Sequence, residues 1–348
     1  MILDGLILPS KYILGPATKI LLLFTAAFCP AFRIVYAVIY SFPLCNYTTK
    51  ISIFECVYTA LEVIALSLAI VMVMFGFNLD YFKNFISTIE LLSIESEGST
   101  VQTMKRNRRR NTIILLLAFI GTIIVCTTYM EQEIRNLGHL KVILLAINEV
   151  CIAFGLFFLL NMTCNICICL QVAFNQINSQ IAVLNETSNQ MFNHSFHEIR
   201  NLRQKYSYAV RSTQNAEKLL RYFITLFYIE YFSFNIMNIV RSFEPKTHID
   251  PIWLFVMLCQ TIQLVILTYN LVSVNNLSRQ GLEDLYELSF KLNSIHLYHE
   301  NDIFIARMAL SDVGFTFANL FTINNSFITS MFTLSLTLII ALASFIYN

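Results

Sequence analysis

The chain has 348 residues, 56% hydrophobic and only 13% charged, with a formal net charge of +1. Ordinary soluble domains carry about a quarter charged residues, so a soluble enzyme and a disordered or fibrous chain are excluded, leaving a polytopic membrane protein. The near-neutral balance offers no basic surplus to neutralise phosphates, so no nucleic-acid partner is expected.

A spanning helix needs about 20 mostly apolar residues, and seven stretches in chain order meet that length. The first lies within 20–44, interrupted by Arg33 and two prolines. It is too long for a signal peptide and lacks a small-residue cleavage site. The second covers 51–77, and the third, 112–130, follows the basic run 105–110. The fourth, 142–174, exceeds one bilayer, so its end is expected to project into water. The fifth is 222–240, the sixth 252–274 and the seventh 326–347. The predicted fold is therefore all-α, with seven transmembrane helices.

Lys and Arg concentrate in short cytosolic loops. Of the 23 in this chain, 17 fall in the N-terminal tail and even-numbered loops and 5 in the odd-numbered loops. Arg33, within the first span, completes the count. The N-terminus is thus expected inside and the C-terminus outside, the reverse of a G-protein-coupled receptor. The marks of that class are absent too: span three ends Thr127-Thr128-Tyr129, and span seven has no Asn-Pro-x-x-Tyr. The sequon at Asn46 falls in an outer loop, whereas those at Asn185 and Asn193 fall in a cytosolic one.

Two cytosolic segments, 175–221 and 275–325, read as helical anchor regions. In the first, Ile177, Ile181 and Leu184 recur at helical spacing, followed by Leu202, Tyr206, Ala209 and Val210. In the second, Leu282, Leu285, Leu288, Leu292 and Ile295 form an apolar stripe. Such a stripe either packs on its own subunit or joins a neighbouring one.

No catalytic, metal or cofactor site is expected. Cys164, Cys167 and Cys169 have a metal-like spacing but sit in an apolar run, where a thiol is a small hydrophobe. His194 with His197, and His296 with His299, are each half a site, and neither is completed in sequence. No disulfide framework is implied by nine cysteines so placed. No phosphate loop, nucleophile elbow or zinc-protease motif occurs. The basic run 105–110 suits an anionic headgroup, or simply fixes the orientation of the third span.

The last stretch carries a resemblance. The segment from Gly314-Phe315-Thr316-Phe317 to Asn324 leads into a helix with Thr337-Leu338, five hydrophobic residues, then Ser344-Phe345. This resembles the insect gustatory receptor family, whose last helix carries Thr-Tyr, five hydrophobics and Gln-Phe. Thr337 and Phe345 keep the motif, while Leu338 stands for its Tyr and Ser344 for its Gln. Residues 174–186, with Asn178 and Leu184, are similar to the family's stretch after the fourth helix.

The resemblance implies a ligand-gated cation channel subunit in the plasma membrane, homo- or heterotetrameric and opened by a small-molecule tastant. Its last helix, 326–347, would line the pore, with Leu338, Ala341, Ser344 and Phe345 at the gate. The ligand pocket would lie in the outer half, among helices two to six. A charge at mid-membrane costs about 3 kcal/mol and so faces a cavity or partner. Counting about 1.5 Å per residue, Tyr58, Glu62, Glu149, Glu230 and Gln260 offer polar groups at comparable depth. The alternative is a pore-less receptor or transporter-like protein of the same fold. A transporter would show an internal repeat and broken helices, and neither is present.

Overall fold

The computed structural model describes residues 29–38, scattered positions between 53 and 68, and residues 78–92, 98–137, 139–187, 195–241, 243, 251–292, 294–310 and 313–347. These form helices α1 (Cys29–Tyr36), α2 (Leu79–Leu91), α3 (Gly98–Leu137), α4 (His139–Thr187), α5 (Ser195–Arg241), α6 (Pro251–Gln280), α7 (Leu282–Lys291) and α8 (Ile295–Leu310). A two-stranded hairpin, β1 (Thr316–Phe317) and β2 (Phe321–Thr322), leads into the last helix, α9 (Asn325–Tyr347). The positions described between Ile53 and Leu68 are helical as well.

Four helical stretches among the described residues are long and apolar enough to cross a membrane: 146–186, 197–240, 254–291 and 325–346. The predicted third span lies inside α3, which runs unbroken for 40 residues. Of the predicted first span, α1 and the π turn that continues it are described, and of the second, the scattered helical positions.

Helix length is the dominant architectural fact. α4 has 49 residues, about 74 Å at 1.5 Å per residue, and α5 has 47. A hydrocarbon core of about 30 Å holds less than half of either. The excess was expected of both helices, whose extensions make the anchor region 175–221. The two pack along their extensions, where Ile177, Ile181, Ile199, Tyr206 and Ala209 are buried. Tyr206 is the hub: its ring meets Phe174 and Phe304 edge-on or tilted, at 5.9 and 5.7 Å, and its hydroxyl donates to the Ser278 carbonyl at 3.2 Å.

Leu285 and Leu288 of α7 are fully buried within the chain. The apolar stripe therefore packs on its own subunit at those positions. Asn301 ties α8 beneath it by donating to the Leu285 carbonyl at 2.9 Å. Asn185, part of a sequon, donates to Glu287 at 3.0 Å and accepts from Lys291 at 2.7 Å, so its side chain is spent on α7.

Polar side chains lock the membrane helices where apolar burial alone would allow sliding. Gln171 of α4 donates to the Asn270 carbonyl of α6 at 3.1 Å, and Asn111 of α3 donates to the Asn270 side chain at 3.4 Å. Thr112 donates to Asn161 at 2.9 Å. Gly121 lets α3 and α6 approach closely, since a Cβ there would sit 2.9 Å from the Cys259 sulfur. Arg108 turns toward this packed face, where burial lowers its pKa against the opposing pull of Cys169.

Candidate functional site

The last helix contains no charged residue, and its apolar window is only 6% buried, against 39–50% for the other three membrane-length stretches. It leans on α5 along one narrow seam. Phe327 and Ile346 are buried at its ends, with Met331, Ser335, Ile339 and Leu342 half-buried between them. Tyr228 anchors the lower end, meeting the Phe327 ring edge-on at 5.7 Å. Near the upper end, Ile346 packs with Ile236 and Val240.

The opposite side has a distinct chemistry. At 100° per residue, Ser326, Ser330, Thr333, Thr337 and Ser344 fall on one line directly away from the seam, and all are exposed. Thr333 and Thr337 donate to the carbonyls four residues back, each at 2.9 Å. Those hydroxyls are satisfied as donors, so the helix holds them in an apolar setting while their acceptor lone pairs face outward. The four residues predicted at the gate, Leu338, Ala341, Ser344 and Phe345, are exposed as well, the last at 71%. Leu338, Ala341 and Phe345 share a face about a quarter-turn from the hydroxyl line and next to the seam, with Phe345 five full turns above Phe327. Motif matching pointed to Thr337 and Ser344 among the hydroxyl residues, with only Ser344 expected at the gate. The others are found only by counting turns from the packed seam.

A hairpin fixes where this helix begins. Its two turn residues, Ala318 and Asn319, have φ of 51° and 60°, and the Leu320 amide donates back to the Phe317 carbonyl at 2.9 Å. Positive φ at two successive positions with that bond makes a type I′-like turn, and because Phe317 pairs with Phe321 the loop holds three residues, 318–320. The hairpin docks on α5 at two points. The Ala318 amide donates to the Thr225 hydroxyl at 2.9 Å. Thr316 donates to Glu217, whose carboxylate also takes both arms of the Arg221 guanidinium at 2.6 Å.

The predicted ligand residues are placed as follows. Tyr58 and Glu62 lie outside the described residues. Glu149 is in a salt bridge with Arg33 at 2.9 Å, both side chains part-buried. Gln260 accepts from Asn235 at 3.3 Å, close to a Tyr231–Thr261 hydroxyl pair at 2.8 Å. Glu230 is on an exposed part of α5. Glu149 and Gln260 thus belong to separate polar groups, one joining α1 to α4, the other α5 to α6. Asn235 and Tyr231 were missed, because a polar residue flanked by aromatics in a span has no sequence mark of its partner.

Cys164, Cys167 and Cys169 are buried free thiols. Among the described residues no group of three His, Cys, Asp or Glu side chains is arranged to hold a metal ion. Cys56 is disulfide-bonded, which the sequence reading did not anticipate.

No family model matches the chain, and no curated protein does. Solved structures do. The insect olfactory receptor OR5 from Machilis hrabei superposes with a TM-score of 0.65 at 14% identity, covering 92% of this chain and 86% of that one. The same receptor in complex with eugenol gives a TM-score of 0.61 at 14% identity, over 91% of this chain and 88% of that one. The likeness covers about nine-tenths of the chain and shows the fold.

Proposed function

We propose that the chain is one subunit of a ligand-gated cation channel of the insect chemoreceptor type, opened by a small molecule at the plasma membrane. The observation that carries this reading is the line of hydroxyls on the uncovered side of α9. A helix facing only lipid gains nothing from five aligned Ser and Thr residues. Placed around an axis with three copies of itself, the same line becomes a wettable wall. The motif, not the hydroxyl line, assigns Phe345 to the outer end, where an apolar ring blocks ions by dewetting.

The fold shared with an olfactory receptor and the gustatory-type motif at Thr337 and Phe345 support the same class. The motif favours a taste-type ligand, a tetramer, and a pocket in the outer half involving Tyr58, Glu62, Glu149, Glu230 and Gln260. The N-inside orientation rests on the 17-to-5 charge split. The disulfide at Cys56 agrees with it, because that residue falls near the predicted outer end of the second span and disulfides persist in oxidising compartments.

The test is single-channel recording from cells expressing the chain, alone or with a related subunit. Replacing Thr333 and Thr337 with Val keeps shape and removes hydroxyls. Unitary conductance is expected to fall several-fold at unchanged surface level. A conducting channel indifferent to the double substitution would remove α9 from the pore, whereas no current at full surface level, alone or with a related subunit, would favour the pore-less reading.

A further inference from the structure

The inner end of α3 has two unlike sides. Met104, Asn111, Leu115 and Ala118 are buried against the bundle, and Arg108 turns toward that side. Lys105, Arg106, Arg109 and Arg110 all point the other way and are exposed. None of these four has an ion pair or hydrogen bond among the described residues. Directly above them on the same side, Ile113, Leu116, Leu117, Ile120 and Ile124 are exposed by 41–63%. Gln102, the four cations, Ile113 and Ile114 line an open cleft of about 610 Å³.

An orienting signal needs only the right number of cations in a loop. It does not require that four of five share one face, continuous with an uncovered apolar strip on a spanning helix. That juxtaposition matches one kind of molecule, with an anionic head and an apolar tail. The axial rise from Lys105 to Arg110 is about 7.5 Å, and a headgroup layer is about 5–7 Å deep on each side of the hydrocarbon. The cations therefore occupy one headgroup layer while the isoleucines and leucines enter the acyl region. Guanidinium forks suit phosphate oxygens two at a time.

We infer that this face of α3 is a binding site for an acidic phospholipid, its phosphate held by Arg106, Arg109, Arg110 and Lys105 and its chains lying along Ile113 to Ile124. The site is independent of whether the chain conducts.

The experiment uses the full chain reconstituted in phosphatidylcholine bilayers with a trace of photoactivatable, acyl-labelled phosphatidylserine or phosphatidylinositol bisphosphate. Cross-links are expected on α3 between residues 102 and 124. They should exceed those from labelled phosphatidylcholine several-fold at low salt, and the excess should vanish near 1 M salt, where screening acts within about 3 Å. R109Q/R110Q should cut the excess at least two-fold, R109K/R110K should retain most of it, and K83Q, an exposed cation on another helix, should leave it unchanged. Labelling at α3 no greater than with phosphatidylcholine, or an excess indifferent to salt, would overturn the proposal. So would displacement of the lipid by millimolar inorganic phosphate, which would mark a site for free anions. If R109Q/R110Q fails to insert, the wild-type cross-link map and its salt dependence still decide.

Discussion

Arg33 and Glu149 are charges set into apolar segments, and each gives the other a reason to be there. Removing one partner leaves the other desolvated and unpaired, which costs about 3–5 kcal/mol for a fully buried pair. Here the side chains keep 30% and 21% of their exposure, so about 1–3 kcal/mol is the expected range after solvent screening. Glu149→Gln alone should therefore lower the yield of folded protein, and adding Arg33→Gln should recover most of it. Thermal unfolding of the purified single and double variants gives the coupling. A ligand-response shift at full yield in the single variant would instead place Glu149 free in the pocket. At the other end of the molecule, Phe345→Ala should produce leak without ligand, and Ala341→Phe should block current by bulk. Recordings at matched surface levels check both. Depth along a span was legible in the sequence for Glu149 and Gln260, but partnership was not. Nothing near Glu149 in the chain announces Arg33, because the contact joins residues 116 apart.

Among the elements, the hairpin before α9 is where local chemistry yields to tertiary demand. Asn319 tolerates a left-handed backbone, whereas Ala318 at φ 51° does so at a cost. The usual signature of such a turn is Asn-Gly or Asp-Gly, and Phe317-Ala318-Asn319-Leu320 lacks it, so the strands were not legible. Their docking through Thr225 and Glu217 holds the turn in place. Ala318→Gly should relieve about 1–2 kcal/mol of steric cost and return about 0.4–1 in added freedom of the unfolded chain. A net rise in thermal midpoint is expected, with the α5 contacts intact. The helix stripes show a different limit. Helical periodicity told that 282–295 has an apolar face but not what covers it, and Leu285 and Leu288 proved to be covered from within. What the chain leaves uncovered there is Phe290 at 89% and Ile295 at 80%. If α7 and α8 meet a neighbouring subunit, those two residues are the contact. Phe290→Asp with Ile295→Asp should then lower the assembled fraction on native gels, whereas the same change at Leu288 should lower folded yield.

For the whole molecule, composition pointed to apolar, mostly helical architecture, and helix spacing to the long helices that four membrane-length stretches among the described residues bear out. Apolar content, span lengths and overlong fourth and fifth segments follow from the solvent each part meets. Orientation rests chiefly on the charge split, and it has a direct measurement. An N-terminal tag should stay hidden on intact cells and a C-terminal tag should be labelled, and the reverse would invert every depth assigned above. The two longest helices carry a mechanical implication. α4 and α5 run unbroken for 49 and 47 residues, each about 70 Å or more at 1.5 Å per residue. A rigid rod of that length converts rotation into travel: one degree of tilt about one end carries the other about 1.2 Å sideways, from the rise alone. The α9 hairpin is fastened to α5 at Glu217 and Thr225, about mid-rod. One degree of tilt about the Arg241 end moves that attachment by about 0.5 Å from the rise alone, so a tilt of a few degrees arrives at the base of α9 as a displacement of atomic size.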